Sequence, residues 1–293
     1  MTDISSKNSP VKSNYADIDA GFVINHRKYY ENPAKYYVDP FRIASNLYYI
    51  GDRMVCSHLI DTGEGLIMFD SGFPHSAHLL VQAIWQLGFD PGDIRYLIHS
   101  HGHFDHFGAW LEFRTLYGCQ IVMSRADHEC LSANPALSLL EYSPNPYAGI
   151  IEPDILLDDG SRIELGNTSI ECKLAAGHTE GTMAFFFDIE EDGRTYRVGY
   201  FGGIGFISLY RDYMKKYGIE RDMQQAMRQT VRKLRREHVD ITIGNHPEQN
   251  DTLGKRARMI ENPGSNPFID STTWPRMLDG IDNRLTQFQE LGW

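Results

Sequence analysis

Short apolar segments begin near residue 47 and alternate with turns rich in glycine and aspartate, which predicts a run of β-strands. The first three predicted strands form an antiparallel meander and cover 47–50, 58–61 and 66–70. A helix follows between Ser76, a residue type that caps helices, and Gly88, because the apolar residues between them recur at helical spacing. The next apolar segment, 94–100, predicts a buried strand that leads into the polar residues 101–106.

The second half of the chain repeats this order of elements loosely, with strands first and a long amphipathic helix after them. Its predicted strands cover 168–174, 183–189, 194–201 and 241–244, and its predicted helices cover 221–237, 253–260 and 275–292. Between the halves, a predicted helix over 107–117 and a strand over 120–123 precede the irregular segment 134–155. A segment of that length inside a domain is typical of a functional lid. Strands that alternate with helices in this way predict an α/β fold.

Nothing in this pattern resembles an interdomain linker, so we interpret residues 41–262 as one domain. Residues 1–40 are predicted to form an N-terminal arm, because their first part is polar. Within the arm, residues 29–40 contain aromatic side chains and two prolines, and we expect them to lie on the surface without regular structure. Residues 263–293 are predicted to be a C-terminal helical extension packed on the same domain.

Composition narrows the possible partners and the compartment. The formal net charge of −11 argues against nucleic acid as the main partner, and we interpret the basic segment 228–236 as the solvated face of a helix. Four cysteines without paired spacing predict reduced thiols rather than disulfides. No apolar segment is long enough to span a membrane, and the polar start lacks the apolar core of a signal peptide. If Met1 is the native start, we therefore expect a cytoplasmic protein with no membrane partner.

Residues 101–106 contain four potential metal ligands: His101, His103, Asp105 and His106. Where a strand runs into a loop, side chains two positions apart can converge, because their directions there repeat with a period of two. Such a cluster of polar groups gives no packing benefit, which favours a functional site over a structural role. His99, beside the cluster, is interpreted as a core or hydrogen-bonded histidine.

Two further histidines stand far downstream in short polar turns. His178 lies in the glycine-flanked turn 175–182, and His246 follows a predicted strand and precedes a proline. Imidazoles combined with a carboxylate favour Zn²⁺, with Fe²⁺ and Mn²⁺ as alternatives. Two segments rich in aromatic residues and glycine, 142–147 and 203–213, are candidates for the walls of a substrate cleft, and ordinary packing explains them equally well.

These motifs resemble the metallo-β-lactamase superfamily. The segments HSHGHFDH at 99–106, AGHTEGT at 176–182 and GNHPE at 244–248 resemble the family's three histidine motifs, and LIMFDSG at 66–72 resembles its first motif. The resemblance covers about residues 47–248. It implies an αββα sandwich, in which two mixed β-sheets are flanked by helices and the metal site lies at one edge of the packed sheets.

The resemblance also implies a ligand set for two metal ions. One zinc ion would be held by His101, His103 and His178, and the other by Asp105, His106 and His246. Asp70 and Thr179 would contact the ligands rather than the ions. Many members of this superfamily carry a bridging carboxylate where this chain reads VGYFGGIGF at 198–206. The lack of a carboxylate there resembles the subclass B3 branch.

The function implied by this resemblance is a dinuclear zinc hydrolase that acts on a small molecule with a carbonyl centre. A hydroxide shared by the two ions would attack the carbonyl, and Asp105 would orient it as the catalytic residue. The amide of a β-lactam is the nearest named substrate, and a cytoplasmic lactone or ester hydrolase fits equally well. The acidic net charge argues against a phosphodiesterase or nuclease on the same fold. A diiron redox protein is also disfavoured, because such proteins are expected to have carboxylate ligands where this chain has His103 or Gly202 and Gly203. The oligomeric state is not predicted.

Overall fold

Two facing β-sheets form the centre of the molecule, and helices cover their outer faces. The structure is a computed structural model, and it describes residues 14–16, 27–143, 145 and 149–293. This architecture confirms the αββα sandwich of two mixed sheets expected from the motifs.

The first sheet has seven strands whose spatial order follows the chain. They are β1 (Phe41–Ala44), β2 (Leu47–Tyr49), β3 (His58–Asp61), β4 (Leu66–Phe69), β5 (Ile94–Ile98), β6 (Gln120–Ser124) and β7 (Ile155–Leu157). Strands β1 to β4 pair antiparallel, and β2 to β4 are the three strands of the predicted meander, whereas β1 was not predicted. Strands β4 to β7 pair parallel, so the carboxyl ends of β4 and β5 meet at one edge. This edge is where Asp70 and the histidine-rich loop lie.

The second sheet has five strands in the order β12-β11-β10-β9-β8. They are β8 (Arg162–Leu165), β9 (Thr168–Leu174), β10 (Met183–Glu191), β11 (Arg194–Phe201) and β12 (Ile241–Gly244). Only the pair β11 and β12 is parallel. The Met183 N–H at the start of β10 donates to the Ser100 carbonyl after β5 at 3.0 Å, so the two sheets meet at this edge. The turn between β9 and β10 therefore lies beside the histidine-rich loop of the first sheet. The ends of β11 and β12 lie at the same edge.

Aromatic side chains fill the space between the two sheets. The ring of Phe69 on β4 lies 5.0 Å from that of Phe185 on β10 and 5.2 Å from that of Tyr200 on β11, measured between centroids. All three residues are fully buried. Aromatic rings stabilise such a core through their large apolar area and their edge-to-face contacts. This packing holds the two halves of the candidate site in a fixed relation.

The helices lie outside the sheets. They are α1 (Ala77–Gln86), α2 (Phe104–Phe107), α3 (Trp110–Tyr117), α4 (Arg125–Ala133), α5 (Arg211–Tyr217), α6 (Met223–Leu234), α7 (Thr252–Glu261) and α8 (Thr273–Glu290). The apolar face of α8 is buried, and its Trp274 donates from Nε1 to the carbonyl of Leu234 at the end of α6. In the described part of the chain, no helix combines the length and the apolar character needed to cross a membrane.

The structure corrects two sequence-based expectations. The helix predicted over 107–117 begins only at Trp110, as α3, and Phe107 belongs to the separate short helix α2. Between them, Gly108 packs against the backbone of Pro74 and its N–H donates to the Gly72 carbonyl at 2.7 Å. The segment 29–40 lies mostly at the surface, as expected, but it is not irregular. It contains helical turns at 27–31 and 33–36, and Tyr29 is completely buried with its hydroxyl donating to Asp52. This polar contact of Tyr29 is distant in sequence, so no local pattern indicates it.

Candidate metal centre

The loop after β5 brings its histidines together through a change from strand to helix. The chain is extended at His103, which precedes the short helix α2. Because α2 begins immediately, Asp105 and His106 lie on its first turn beside the loop residues His101 and His103. All four side chains are buried.

His101, His103 and His178 form one group of candidate ligands. Nε2 of His101 lies 3.1 Å from Nδ1 of His103, and the ring of His178 lies 4.6 Å from each of the other two rings. Each side chain offers one ligand atom, and these three atoms lie within 4.8 Å of one another. This spacing suits three nitrogen ligands of a single ion.

Asp105, His106 and His246 form the second group, and their ligand atoms also lie within 4.8 Å of one another. Nε2 of His106 lies 3.2 Å from Nε2 of His246 and 3.3 Å from Oδ2 of Asp105. The rings of His101 and His106 are 4.3 Å apart, so the two groups adjoin. The structure therefore brings together all six side chains that the sequence indicated as metal ligands.

Hydrogen bonds behind these rings determine which nitrogen can face a metal. Nδ1 of His178 lies 2.9 Å from the Gly205 carbonyl, Nδ1 of His246 2.7 Å from the Met54 carbonyl, and Nδ1 of His106 2.9 Å from Asp70. These oxygens can only accept, so Nδ1 carries a hydrogen in each ring, and in the neutral form of the ring the lone pair is on Nε2. In the second group, the Nε2 atoms of His106 and His246 face each other at 3.2 Å, so neutral rings would direct two lone pairs at the same point. This donor set suits a cation, and the carbonyls and carboxylate behind it are the partners that metal-binding histidines usually have.

The electrostatics of the two groups differ. Burial and the neighbouring histidines hold the pKa of both His101 and His103 well below the ordinary value, so their rings are neutral donors. Burial lowers the pKa of His178 to about 4. Burial also acts to lower the pKa of His106, but the adjacent Asp105 and Asp70 outweigh it and raise that pKa to about 10. The second group therefore carries excess negative charge, which would stabilise a bound cation.

Asp70 supports the histidine loop from the end of β4. It is fully buried, and one carboxylate oxygen accepts hydrogen bonds from the Tyr200 hydroxyl at 2.6 Å, the Ser100 hydroxyl at 2.8 Å and His106 Nδ1 at 2.9 Å. The other oxygen accepts from the Ser100 N–H at 2.7 Å. Burial acts to raise its pKa, but His106 and these donors hold the pKa below the ordinary value. Asp70 therefore contacts a candidate ligand, His106, and lies behind it, which is the position expected from the sequence.

Thr179 supports the second histidine motif indirectly, through Asp127. Its hydroxyl donates to an Asp127 carboxylate oxygen at 2.8 Å, and the same oxygen accepts the Gly102 N–H at 2.7 Å. The other oxygen accepts the Gly181 N–H at 2.7 Å. Burial raises the pKa of Asp127 to about 6, against the effect of these donors. Asp127 thus joins two ligand loops that are far apart in sequence, and sequence reasoning missed it.

We expect the substitution Asp127→Asn to weaken metal binding by about tenfold, since partners of this kind are worth about 10–100-fold in metal affinity. An amide can accept at only one of its two ends, so one loop loses its bond and an N–H faces its NH₂ group. The loss should also lower the free energy of unfolding by about 1–3 kcal/mol. A zinc competition titration and urea unfolding in the presence of a chelator measure the two effects.

Asp158→Asn provides the surface control for this prediction. The Asp158 side chain is 62% exposed and pairs with Arg125 on the same helix as Asp127. Its removal should change neither measurement appreciably, because exposed ion pairs contribute little. Wild-type zinc affinity in Asp127→Asn would contradict the linking role of this carboxylate.

The glycines after β11 explain why no carboxylate stands at this side of the centre. A Cβ atom at Gly203 would lie 2.8 Å from the ring of His178, and one at Gly205 would lie 2.7 Å from the same ring. A Cβ at Gly202 would lie 2.6 Å from the Ser100 Cβ. There is no room for a side chain at these positions unless the ligand loops move. The two groups of three are therefore the ligand set that the local packing accommodates.

The sequence of this chain is similar to proteins of known families. The family model described as "Metallo-beta-lactamase superfamily" matches residues 50–194. An N-acyl homoserine lactonase from Bacillus sp. is 27% identical over 165 residues, which are 48% of this chain and 61% of the relative. The chain thus matches about three fifths of the length of that lactonase.

Solved structures match over more of the chain. Native FEZ-1 metallo-β-lactamase from Legionella gormanii is 27% identical with a TM-score of 0.75, covering 87% of this chain and 95% of that one. The class B3 di-zinc metallo-β-lactamase LRA-12 from an Alaskan soil metagenome is 26% identical with a TM-score of 0.69, covering 86% and 95%. More than four fifths of the chain therefore has counterparts of known structure.

Proposed function

This chain belongs to the metallo-β-lactamase superfamily, and from that premise we propose that it is a dinuclear zinc hydrolase of small molecules with a carbonyl centre. Hydrolases of this fold include both its lactonase and its β-lactamase relatives. A lactone, an ester or the amide of a β-lactam is the bond that we propose it cleaves. The resemblance to a di-zinc enzyme supports zinc as the metal and two as the number of ions.

The observation that carries this proposal is the pair of adjoining ligand groups without a bridging carboxylate. His101, His103 and His178 supply three neutral nitrogens, which leave a zinc ion an open position. The second group adds the negative charge of Asp105 to two further imidazoles. A structural zinc site would instead be closed by four protein ligands.

Two zinc ions bound there would supply a water-derived nucleophile near neutral pH and would polarise the substrate carbonyl. The protein's own contribution is to hold the donors in place. Asp105 is the proposed catalytic residue, because its carboxylate faces both His106 and His246 and can accept a hydrogen bond from the attacking water. Asp70 and Asp127 keep the ligand loops in register through the contacts described above. The burial of His103 and Asp105 limits water access to the reacting atoms.

Metal analysis paired with a substrate panel tests the proposal. We expect about two zinc ions per chain, and activity that is lost on chelation and restored by zinc, because both the nucleophile and the carbonyl activation depend on the ions. The panel comprises nitrocefin, a carbapenem, an N-acyl lactone, a p-nitrophenyl ester and bis-p-nitrophenyl phosphate. Hydrolysis of the phosphodiester alone, or stoichiometric iron with no hydrolysis, would contradict the proposal.

A further inference from the structure

The loop between β2 and β3, residues 50–57, lies against the turn that carries His246. Nδ1 of His246 lies 2.7 Å from the Met54 carbonyl oxygen, and the Cys56 N–H donates to the Asn245 carbonyl at 2.8 Å. A metal-binding histidine is oriented by the partner of its other ring nitrogen. The orientation of the His246 ring therefore depends on the position of the Met54 carbonyl.

Asp52 holds the peptide group to which this carbonyl belongs. Its Oδ1 accepts the Val55 N–H at 2.8 Å, and the Val55 nitrogen and the Met54 carbonyl are the two ends of one peptide group. The same oxygen accepts the Met54 N–H at 2.6 Å. A carboxylate bound at the N–H end of a peptide group makes its carbonyl a stronger acceptor, because hydrogen bonds in a chain polarise one another. Asp52 is thus a carboxylate behind His246, with one peptide group between them.

The N-terminal arm supplies a third donor to Asp52, because the Tyr29 hydroxyl donates to its Oδ2. Tyr29 is completely buried, and its ring centroid lies 4.4 Å from that of Phe73 and 5.0 Å from that of Tyr36. Burial, and after it the nearby Asp52, raise the pKa of Tyr29, so its hydroxyl keeps the proton that it donates. The backbone joins the arm to the same loop, since the Arg53 N–H donates to the Tyr36 carbonyl at 2.8 Å. The Tyr29 hydroxyl is therefore held in place against Asp52.

The charge of Asp52 acts on the second ligand group. Asp52 is buried, and burial raises the pKa of its carboxyl, whereas Tyr29, the two loop N–H groups and His246 act to lower it. A buried carboxylate is costly unless donors or a cation compensate it. A cation bound by His246 would add to this compensation, and the carboxylate would in turn stabilise the cation.

From these contacts, and resting on the proposed dinuclear centre, we propose that Asp52 and Tyr29 are positioning residues for the second metal ion. Asp52 orients and polarises the Met54 carbonyl, which holds the His246 ring with its Nε2 toward that of His106. Tyr29 in turn keeps the Asp52 carboxylate in place against the loop. The N-terminal arm thus contributes to the metal centre from outside the ligand loops.

Two variants of the full chain separate the charge of Asp52 from its contacts. Asp52→Asn keeps an oxygen for the two loop N–H groups and an amide that can donate to the Tyr29 oxygen, so it mainly removes the charge. Tyr29→Phe removes only the hydroxyl and keeps the ring. We expect Asp52→Asn to weaken binding of the second zinc ion by about tenfold, as for other partners of metal-binding histidines. Tyr29→Phe should weaken it by about fivefold, the equivalent of one hydrogen bond.

A zinc competition titration that resolves the two binding steps measures these affinities. The affinity of the first ion should be unchanged, because His101, His103 and His178 do not contact the loop 50–57 through the bonds described. Since Tyr29 acts through Asp52, the double variant should bind the second ion no more weakly than Asp52→Asn alone.

Cobalt substitution gives a readout that a purely structural role would not change. In the Co²⁺-loaded protein, the Nδ1 hydrogens of the ligating histidines give separate, paramagnetically shifted proton resonances. We expect the His246 resonance, assigned through its loss in His246→Ala, to shift and to exchange faster with solvent in Asp52→Asn, because the carbonyl becomes a weaker acceptor. The His178 resonance is the internal reference, since its Nδ1 faces the Gly205 carbonyl.

Tyr37→Phe and Asp61→Asn are the matched controls. The Tyr37 hydroxyl lies in the same arm and donates to the Gln86 side chain at 2.5 Å. Asp61 accepts the Gly63 N–H at 3.0 Å in the turn after β3, much as Asp52 accepts N–H groups of its own loop. Neither contact leads to a candidate ligand, so both variants should bind two ions with wild-type affinity.

The outcomes distinguish this proposal from the proposed function. A wild-type protein that binds fewer than two zinc ions would overturn the dinuclear centre itself. Wild-type affinity for the second ion in both Asp52→Asn and Tyr29→Phe would overturn the positioning role and leave the hydrolase proposal intact. A loss of stability in urea without a selective loss of the second ion would overturn it equally. If Asp52→Asn failed to fold, Tyr29→Phe alone would decide between these outcomes.

Discussion

A His101→Ala variant is expected to bind fewer than two zinc ions per chain and to lose at least about a thousandfold in kcat/KM. His101 lies at the junction of the two ligand groups, where its ring centroid is 4.3 Å from that of His106 and 4.6 Å from that of His178. It is 1% exposed, so its truncation leaves a buried space and removes one protein ligand from the centre. Activation by the metal is worth several kcal/mol, and about 4 kcal/mol corresponds to a thousandfold in rate.

The measurement is metal content by mass spectrometry beside kcat/KM for the best substrate of the panel. Added imidazole should restore part of the activity, because it can occupy the space left by the side chain. His99→Ala is the matched control, since His99 is equally buried and two positions earlier, but contacts Ser71 and the Val122 carbonyl rather than either ligand group. It should keep both ions and activity within about tenfold of wild type. Full activity in His101→Ala would show that the site is wrongly assigned.

Asp105→Asn extends the same test to the second group with a nearly isosteric change. The amide weakens the second site by removing the negative charge beside His106 and His246. We expect the first group to retain its ion, so the metal content should fall toward one per chain. Because the two variants affect different groups, they distinguish a shared centre from two independent sites.

The candidate ligand residues could be picked out from the sequence because their spacing is a local property. Residues 101–106 directly follow a buried strand. His178 lies in the short turn between two strands, and His246 lies in the turn that follows a strand. The meander before them could be predicted for the same reason, since its turns and apolar alternation are contained in adjacent residues. The break at Gly108 that separates α2 from α3 could not be predicted, because it depends on the contact of Gly108 with Pro74.

The contacts that support the ligands are mostly non-local, and this limits what sequence alone can indicate. Asp127 looks like an ordinary acidic residue in the first turn of a helix, where the helix dipole favours it. Its function depends on the backbone N–H groups of Gly102 and Gly181, which become its neighbours only when the sheets pack. A Cβ at Gly181 would lie 2.3 Å from the Asp127 nitrogen, so the glycine in this motif marks the close contact with Asp127. The sequence alone does not show which residue lies against this glycine.

Asp70 is the support with the largest expected effect on both stability and metal binding. We expect Asp70→Asn to lower the free energy of unfolding by about 3–5 kcal/mol, the usual cost of disrupting a buried charge network. Zinc affinity should fall by about 10–100-fold, because His106 loses the charge behind its Nδ1. Asparagine is suited to the left-handed backbone at this position, where φ is 55°, so backbone strain does not contribute. The amide fails because donors face both carboxylate oxygens of Asp70.

Urea unfolding with chelator present measures the effect on the fold, and zinc competition measures the effect on the centre. Asp192→Asn is the control, since Asp192 has a similar φ of 51° but lies exposed in the turn between β10 and β11. It should stay within about 0.5 kcal/mol of wild type. If Asp70→Asn changed stability but not zinc affinity, Asp70 would support only the sheets, and the orientation of His106 would have to come from Asp105 alone. If Asp70→Asn changed neither stability nor zinc affinity, the four hydrogen bonds to Asp70 would contribute to neither the fold nor the metal centre.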